Sequence, residues 1–169
     1  MATTLSVSGA SRTSFSLSDE PSIGSVAEGA ELSTNRTIDN GTGTGQANAA
    51  WRNRVTIAAG QVYSLDLTAL GATVFGFGGR VSLTKLKEVY VLVNTTTAGA
   101  HVLWGCIGPS DTTGYAARIG RGGEYRWADY QDGITITNSA NDMIYVANPS
   151  AGAVEMDLLL VGVGTYSDT

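Results

Sequence analysis

Cysteine and histidine are almost missing from this sequence of 169 residues, which holds one of each, Cys106 and His101. A lone cysteine forms no internal disulfide, so stability outside a reducing compartment has to come from packing, assembly or partners. One cysteine and one histidine also fall short of the three or four ligands a zinc site takes. Nucleophilic catalysis with an imidazole base needs a histidine beside a serine or cysteine, and His101 instead opens an apolar strand. The expectation is a chain with no catalytic residue, no metal and no cofactor, hence not an enzyme. Cys106 lies in Val102-Leu103-Trp104-Gly105-Cys106-Ile107 and reads as a small buried apolar residue.

Charge is scarce as well. Asp, Glu, Lys and Arg make up 15% of the chain, against about 25% in ordinary domains. The net charge is −5 and the ten basic residues are scattered, which disfavours nucleic acid as a partner. Long apolar runs are missing too: Leu158 to Val163 is the longest, far below the roughly 20 residues of a membrane helix. Met1-Ala2-Thr3-Thr4-Leu5-Ser6-Val7-Ser8 has neither the basic start nor the apolar run of a secretion signal. A soluble chain made in a cytoplasm is expected, with no membrane contact.

What the sequence does have is glycine, threonine, serine and alanine around short apolar stretches of period two. Trp51, Val55 and Ile57 alternate with Arg52, Arg54 and Thr56, and Tyr63, Leu65 and Leu67 alternate with Ser64, Asp66 and Thr68 across a turn at Ala58 to Gln61. Gly76 to Gly79 separates this hairpin from Leu86 to Val93, which is apolar at both parities and predicts a central strand covered on both sides. His101 to Ile107, Tyr115 to Ile119, Glu124 to Trp127, Ile134 to Thr137, Met143 to Val146 and Val154 to Val161 continue the series, with a stop at Gly108 to Asp111. About eight strands at turn spacings of roughly 8 to 12 residues predict an all-β, jelly-roll-like β-sandwich over 49–169.

Residues 1–48 read differently, with five acidic and two basic residues and few large apolar groups. They predict an extended polar N-terminal arm that gains order on a neighbour, with one or two short strands at Thr13 to Ser18 and Glu31 to Ile38. Gly41, Gly43 and Gly45 predict a flexible loop, since no Gly-Lys-Ser/Thr follows to make a phosphate cradle. Asn35-Arg36-Thr37, Asn40-Gly41-Thr42 and Asn94-Thr95-Thr96 match the glycosylation triplet by composition.

Two carboxylate pairs invite a glycosidase reading, Asp129 with Asp132 and Glu155 with Asp157. The first sits in a turn, and the second alternates with Val154, Met156 and Leu158 as the solvated face of a strand does. Among the aromatics, Trp127 and Tyr130 stand beside a Gly/Asp turn and are the candidates for a surface or ligand role, the basis of an alternative reading as a carbohydrate-binding module.

The order of motifs adds a resemblance. Gly41 to Trp51, Val55-Thr56-Ile57-Ala58-Ala59-Gly60, Tyr63 to Leu67, Leu83 to Lys87, Gly122 to Arg126, Asp142 to Pro149 and Leu158 to Gly162 resemble small virion structural proteins of tailed bacteriophages, over roughly residues 31–164. The resemblance implies a jelly-roll sandwich on the capsid surface, a decoration or cement protein whose partners are the major capsid protein and copies of itself, with a trimer favoured. It carries over no catalytic residue. A tail, fibre or head-fibre component is the alternative within the same virion.

Overall fold

The computed structural model describes residues 7–19, 26–74, 77–105 and 115–168, with side chains over 38–71, 78–105 and 117–167. Alternation decides the elements. In Ala49–Ile57, Trp51, Val55 and Ile57 are buried while Arg52, Arg54 and Thr56 are exposed, the two faces of one strand. The strands in chain order are β1 Val7–Asp19, β2 Val26–Asn40, β3 Gln46–Ala47, β4 Ala49–Ile57, β5 Val62–Asp66, β6 Leu70–Val74, β7 Phe77–Val93, β8 His101–Gly105, β9 Tyr115–Gly120, β10 Glu124–Ala128, β11 Ile134–Thr135, β12 Met143–Ala147 and β13 Val154–Asp168. There is no helix among the described residues.

Eight of these strands pair as four antiparallel couples: β4 with β13, β5 with β12, β7 with β10, and β8 with β9. Rolling that ribbon of couples brings β7 beside β13 and β8 beside β12, which completes two sheets in the orders β10-β7-β13-β4 and β5-β12-β8-β9. This wrapping is the jelly roll, so the chain is an all-β sandwich of that topology. β6 and β11 add short ladders to β7.

The core lies between the sheets. Val89, Val91 and Val93 of β7 and Met156, Leu158 and Leu160 of β13 point toward Ile144 and Val146 of β12 and Val102 and Trp104 of β8. Burying each such side chain contributes about 2 kcal/mol, before conformational entropy is counted. Trp51 closes one end, its indole N–H donating to the Gly71 carbonyl at 2.7 Å. Asn148 is 1% exposed, and its amide nitrogen reaches the carbonyls of Ile57 at 2.9 Å and Gly152 at 2.9 Å. That contact ties the ends of β4 and β12 to the start of β13.

Three elements differ from the sequence reading. β7 runs through the glycine stretch, from Phe77, because Gly79 pairs in the ladder while the ring of Tyr166 fills the space its missing side chain leaves. β13 likewise extends to Asp168, bending at two register shifts where Gly162 and Gly164 sit. A Cβ at Gly162 would stand 2.0 Å from the Lys85 carbonyl oxygen, so the close strand approach requires glycine there. The predicted strand at Ile134 to Thr137 shortens to Ile134–Thr135.

The N-terminal region forms a long two-stranded ribbon rather than short isolated strands, with 13 cross-strand pairs from Val7↔Ile38 to Asp19↔Val26. β2 continues into a parallel pairing with β3, and Ile38 is buried with Ala47 against Tyr130 and Val161 on the outer side of the β10-β7-β13-β4 sheet. That cover explains β7. Leu86, Lys87, Glu88 and Val89 are buried in succession, whereas farther along Val91 and Val93 are buried and Tyr90 and Leu92 only half-buried. The strand is covered on both sides only where the ribbon base and the 129–132 turn lie over it. The readings of Cys106 and of the stop at Gly108 to Asp111 lie outside the described residues.

Candidate functional site

The most densely organised polar group sits under that cover. The Lys87 ammonium, 1% exposed, donates to the carbonyls of Gln131 at 2.7 Å, Tyr130 at 3.2 Å and Gly43 at 3.5 Å. It has as many donors as there are carbonyls around it, so burial of the charge is offset by charge-assisted hydrogen bonds. Lys87 thus pins the turn after the ribbon to the turn after β10.

Beside it, Glu88 is 5% exposed. Its Oε1 accepts from Arg126 Nε at 2.8 Å and its Oε2 accepts from the Tyr130 hydroxyl at 3.1 Å. Arg126 Nη2 also donates to that hydroxyl, closing a triangle across β7, β10 and the turn. Burial raises the Tyr130 phenol above its ordinary value of 10.0, and the nearby Glu88 carboxylate adds to the rise. The pairing holds two turns and a strand in one arrangement.

Trp127 and Tyr130 are not brought together. Tyr130 is 8% exposed and lies outside the sheet in the triangle just described, which corrects its assignment to a surface role: the Gly/Asp turn folds it back onto Val161 and Ile38. Trp127 is half-buried and turns the other way, between the sheets. There it lines a cavity of about 280 Å³ with Val89, Trp104, Gly105, Ile134, Asn141 and Ile144. The lining is apolar apart from Asn141, whose amide is already engaged by Thr135 O and Thr137 N at 2.6 and 2.7 Å. Trp104 and Trp127 thus border one apolar space.

The candidate carboxylates Asp129, Glu155 and Asp157 are each held in contacts of their own. Asp129 Oδ1 accepts from the backbone N–H groups of Gln131 and Asp132, both at 3.2 Å, and so shapes its own turn. Glu155 and Asp157 stand on the outer face of β13, both bridged to Arg54. The hydrogen bonds from Arg54 lower the Asp157 carboxyl below its ordinary 3.8. The polar pair that organises the region, Lys87 and Glu88, was not singled out by sequence reasoning, which took the strand as apolar. The available signal was two charged residues of opposite parity inside an apolar run.

No family model matches the chain. Over 113 residues, 63% of this chain, it is 34% identical to a protein of Dinoroseobacter shibae named alanine racemase, and the match spans 30% of that protein. The expectation that the chain is not an enzyme is corrected by this finding, since 63% of its length is similar to part of a protein that carries an enzyme's name. The chain covers under a third of that relative's length.

Proposed function

We propose that the chain is a structural component of a tailed-bacteriophage virion, seated on the outer capsid surface as a decoration or cement protein with the major capsid protein as partner. The observation that carries this reading is the combination of a rigid jelly-roll body with a ribbon of 13 pairs rooted at one corner of it. The motif order read in the sequence supports the same assignment. In this reading the body sits on one capsid subunit and the ribbon crosses the joint to the next, adding contacts that resist pressure from packaged DNA. Weak single contacts become tight attachment when several copies bind together through effective concentration. Electron microscopy of purified particles tests it: many copies spread over the shell are expected, and a few copies at one vertex would move the protein to the tail or a fibre.

The match to the protein named alanine racemase favours a second reading, in which this sandwich serves as a β-module within a larger enzyme of that kind. Incubating the purified chain with L-alanine and measuring D-alanine by chiral chromatography addresses it. Turnover by the chain would favour this reading over the virion one.

A further inference from the structure

Close-packed interiors leave few voids larger than a water molecule, so the space bordered by Trp104 and Trp127 has a local cause. β8 shifts register against β9 at Gly105, and this glycine adds no side chain to the space it lines. Trp127 stands opposite Val89 in the β10–β7 ladder and Trp104 opposite Val146 in the β8–β12 ladder, so the two indoles come from opposite sheets. Val89 and Ile144 are buried at the inner end, whereas Ile134, Trp127 and Asn141 are half-buried at the mouth. The cavity of about 280 Å³ therefore has a closed floor and an accessible rim.

The tryptophans differ in one respect. Trp51 donates its indole N–H to the Gly71 carbonyl at 2.7 Å, as a buried indole ordinarily does. Trp104 is 4% exposed, yet its indole N–H donates to no group among the described residues, and its ring is held against Tyr125 with centroids 6.2 Å apart. No sealed side-chain nitrogen or oxygen among the described residues lacks a partner. The Trp104 N–H thus meets open space, and the space that Trp104 borders is the cavity. None of the lining residues carries an ionisable group, and both ends of the Asn141 amide are engaged by Thr135 and Thr137. What the cavity presents is apolar wall, two indole rings and a donor without an acceptor.

We propose that this cavity binds a small, neutral, planar molecule of two fused rings, carrying one oxygen acceptor for the Trp104 N–H. Size sets the first limit: an apolar cavity of about 150 Å³ holds benzene, and the larger volume here has room for a second ring. Charge sets the second, because an isolated ionised group moved from water into an unpaired apolar site carries a large desolvation cost. The indoles of Trp104 and Trp127 favour an aromatic occupant over an aliphatic one, through offset-stacked or edge-to-face contacts. The site is independent of the virion reading, and failure of either leaves the other standing.

Titration of the full, isotope-labelled chain with coumarin, followed in proton–nitrogen correlation spectra, tests it. The three tryptophans give three indole N–H signals, which Trp51→Phe and Trp127→Phe assign. Saturable shifts of the Trp104 and Trp127 signals are expected, with a dissociation constant of about 0.1–1 mM and the Trp51 signal unmoved. Ile134→Phe, which fills the mouth, is expected to weaken binding by about tenfold or more, and coumarin bearing a carboxylate is expected not to bind. No saturable shift, equal shifts at all three indoles, or equal binding of the charged coumarin would overturn the proposal. So would tighter binding of N-acetylphenylalanine amide than of coumarin, which would make the occupant a partner's side chain. Should Ile134→Phe not fold, the Trp51 comparison and the charged coumarin decide without it.

Discussion

Arg54 holds Asp157 across the β4–β13 ladder with two parallel hydrogen bonds, Nε to Oδ1 and Nη2 to Oδ2, each 2.9 Å. The Asn94 amide donates to the same carboxylate from β7's end. Three segments are thereby joined on a face open to water, where such pairs contribute modestly and weaken with salt.

The acid response follows from that pair. Asp157 is lowered in the folded chain below its ordinary 3.8, so its contribution is present above that value and is lost as pH falls through the lower folded value. Asp157→Asn is expected to flatten the fall of the melting midpoint in acid. Thermal melts of both chains between about pH 5 and pH 2 check this, and equal slopes would count against it.

Lys87→Met keeps the buried stem and removes the ammonium, leaving the carbonyls of Gly43, Tyr130 and Gln131 without it. The expected loss is about 1–3 kcal/mol, or a midpoint lower by about 2–4 °C per kcal/mol. Hydrogen exchange should quicken at Gly45, whose N–H donates to Gln131 O. Unchanged exchange there would show that the two turns hold each other without Lys87.

Glu88→Gln removes the charge that faces Arg126 and Tyr130. Breaking a buried pair costs about 3–5 kcal/mol, and the partial exposure of Arg126 reduces this to about 2 kcal/mol. The raised Tyr130 phenol contributes stability below its ordinary 10.0 that is lost as pH rises through the folded value. Glu88→Gln should bring that alkaline titration down, as read by ultraviolet absorbance. A double-mutant cycle with Tyr130→Phe should give coupling of at least about 0.5 kcal/mol; additive effects would mean the triangle is not one unit.

Gly162→Ala places a Cβ 2.0 Å from the Lys85 carbonyl oxygen, so a loss of about 1–3 kcal/mol is expected. Gly71→Ala meets nothing within 4 Å and serves as the control, with a change within about 0.5 kcal/mol. Equal midpoints for the two variants would show that the β13 bend relaxes freely.

Period two made β4, β5, β8, β10, β12 and most of β13 legible, because one face of each is buried and the other wet. It failed where side chains are missing or balanced by neighbours. Gly78 and Gly79 carry no parity signal, so the early part of β7 was read as a separator, and its partner β6 went unseen. Residues 1–48 looked merely polar because their apolar residues are few and far apart; only the register of β1 with β2 shows that they share a face. Trp127 and Tyr130 are three residues apart, yet the turn between them sends one between the sheets and the other onto the outer surface of β7. No local pattern encodes which way a turn folds back.

The first and last strands of the roll are immediate neighbours, with Ala50 opposite Val161 and Ala49 opposite Gly162. Directly paired residues in an antiparallel ladder stand about 5 Å apart. A host polypeptide can therefore enter and leave this sandwich at one corner, so that the fold can be spliced into a surface loop as a single cassette and lifted out again with only a tight turn to bridge the gap. A body of this kind can pass between unrelated protein contexts with both sheets intact.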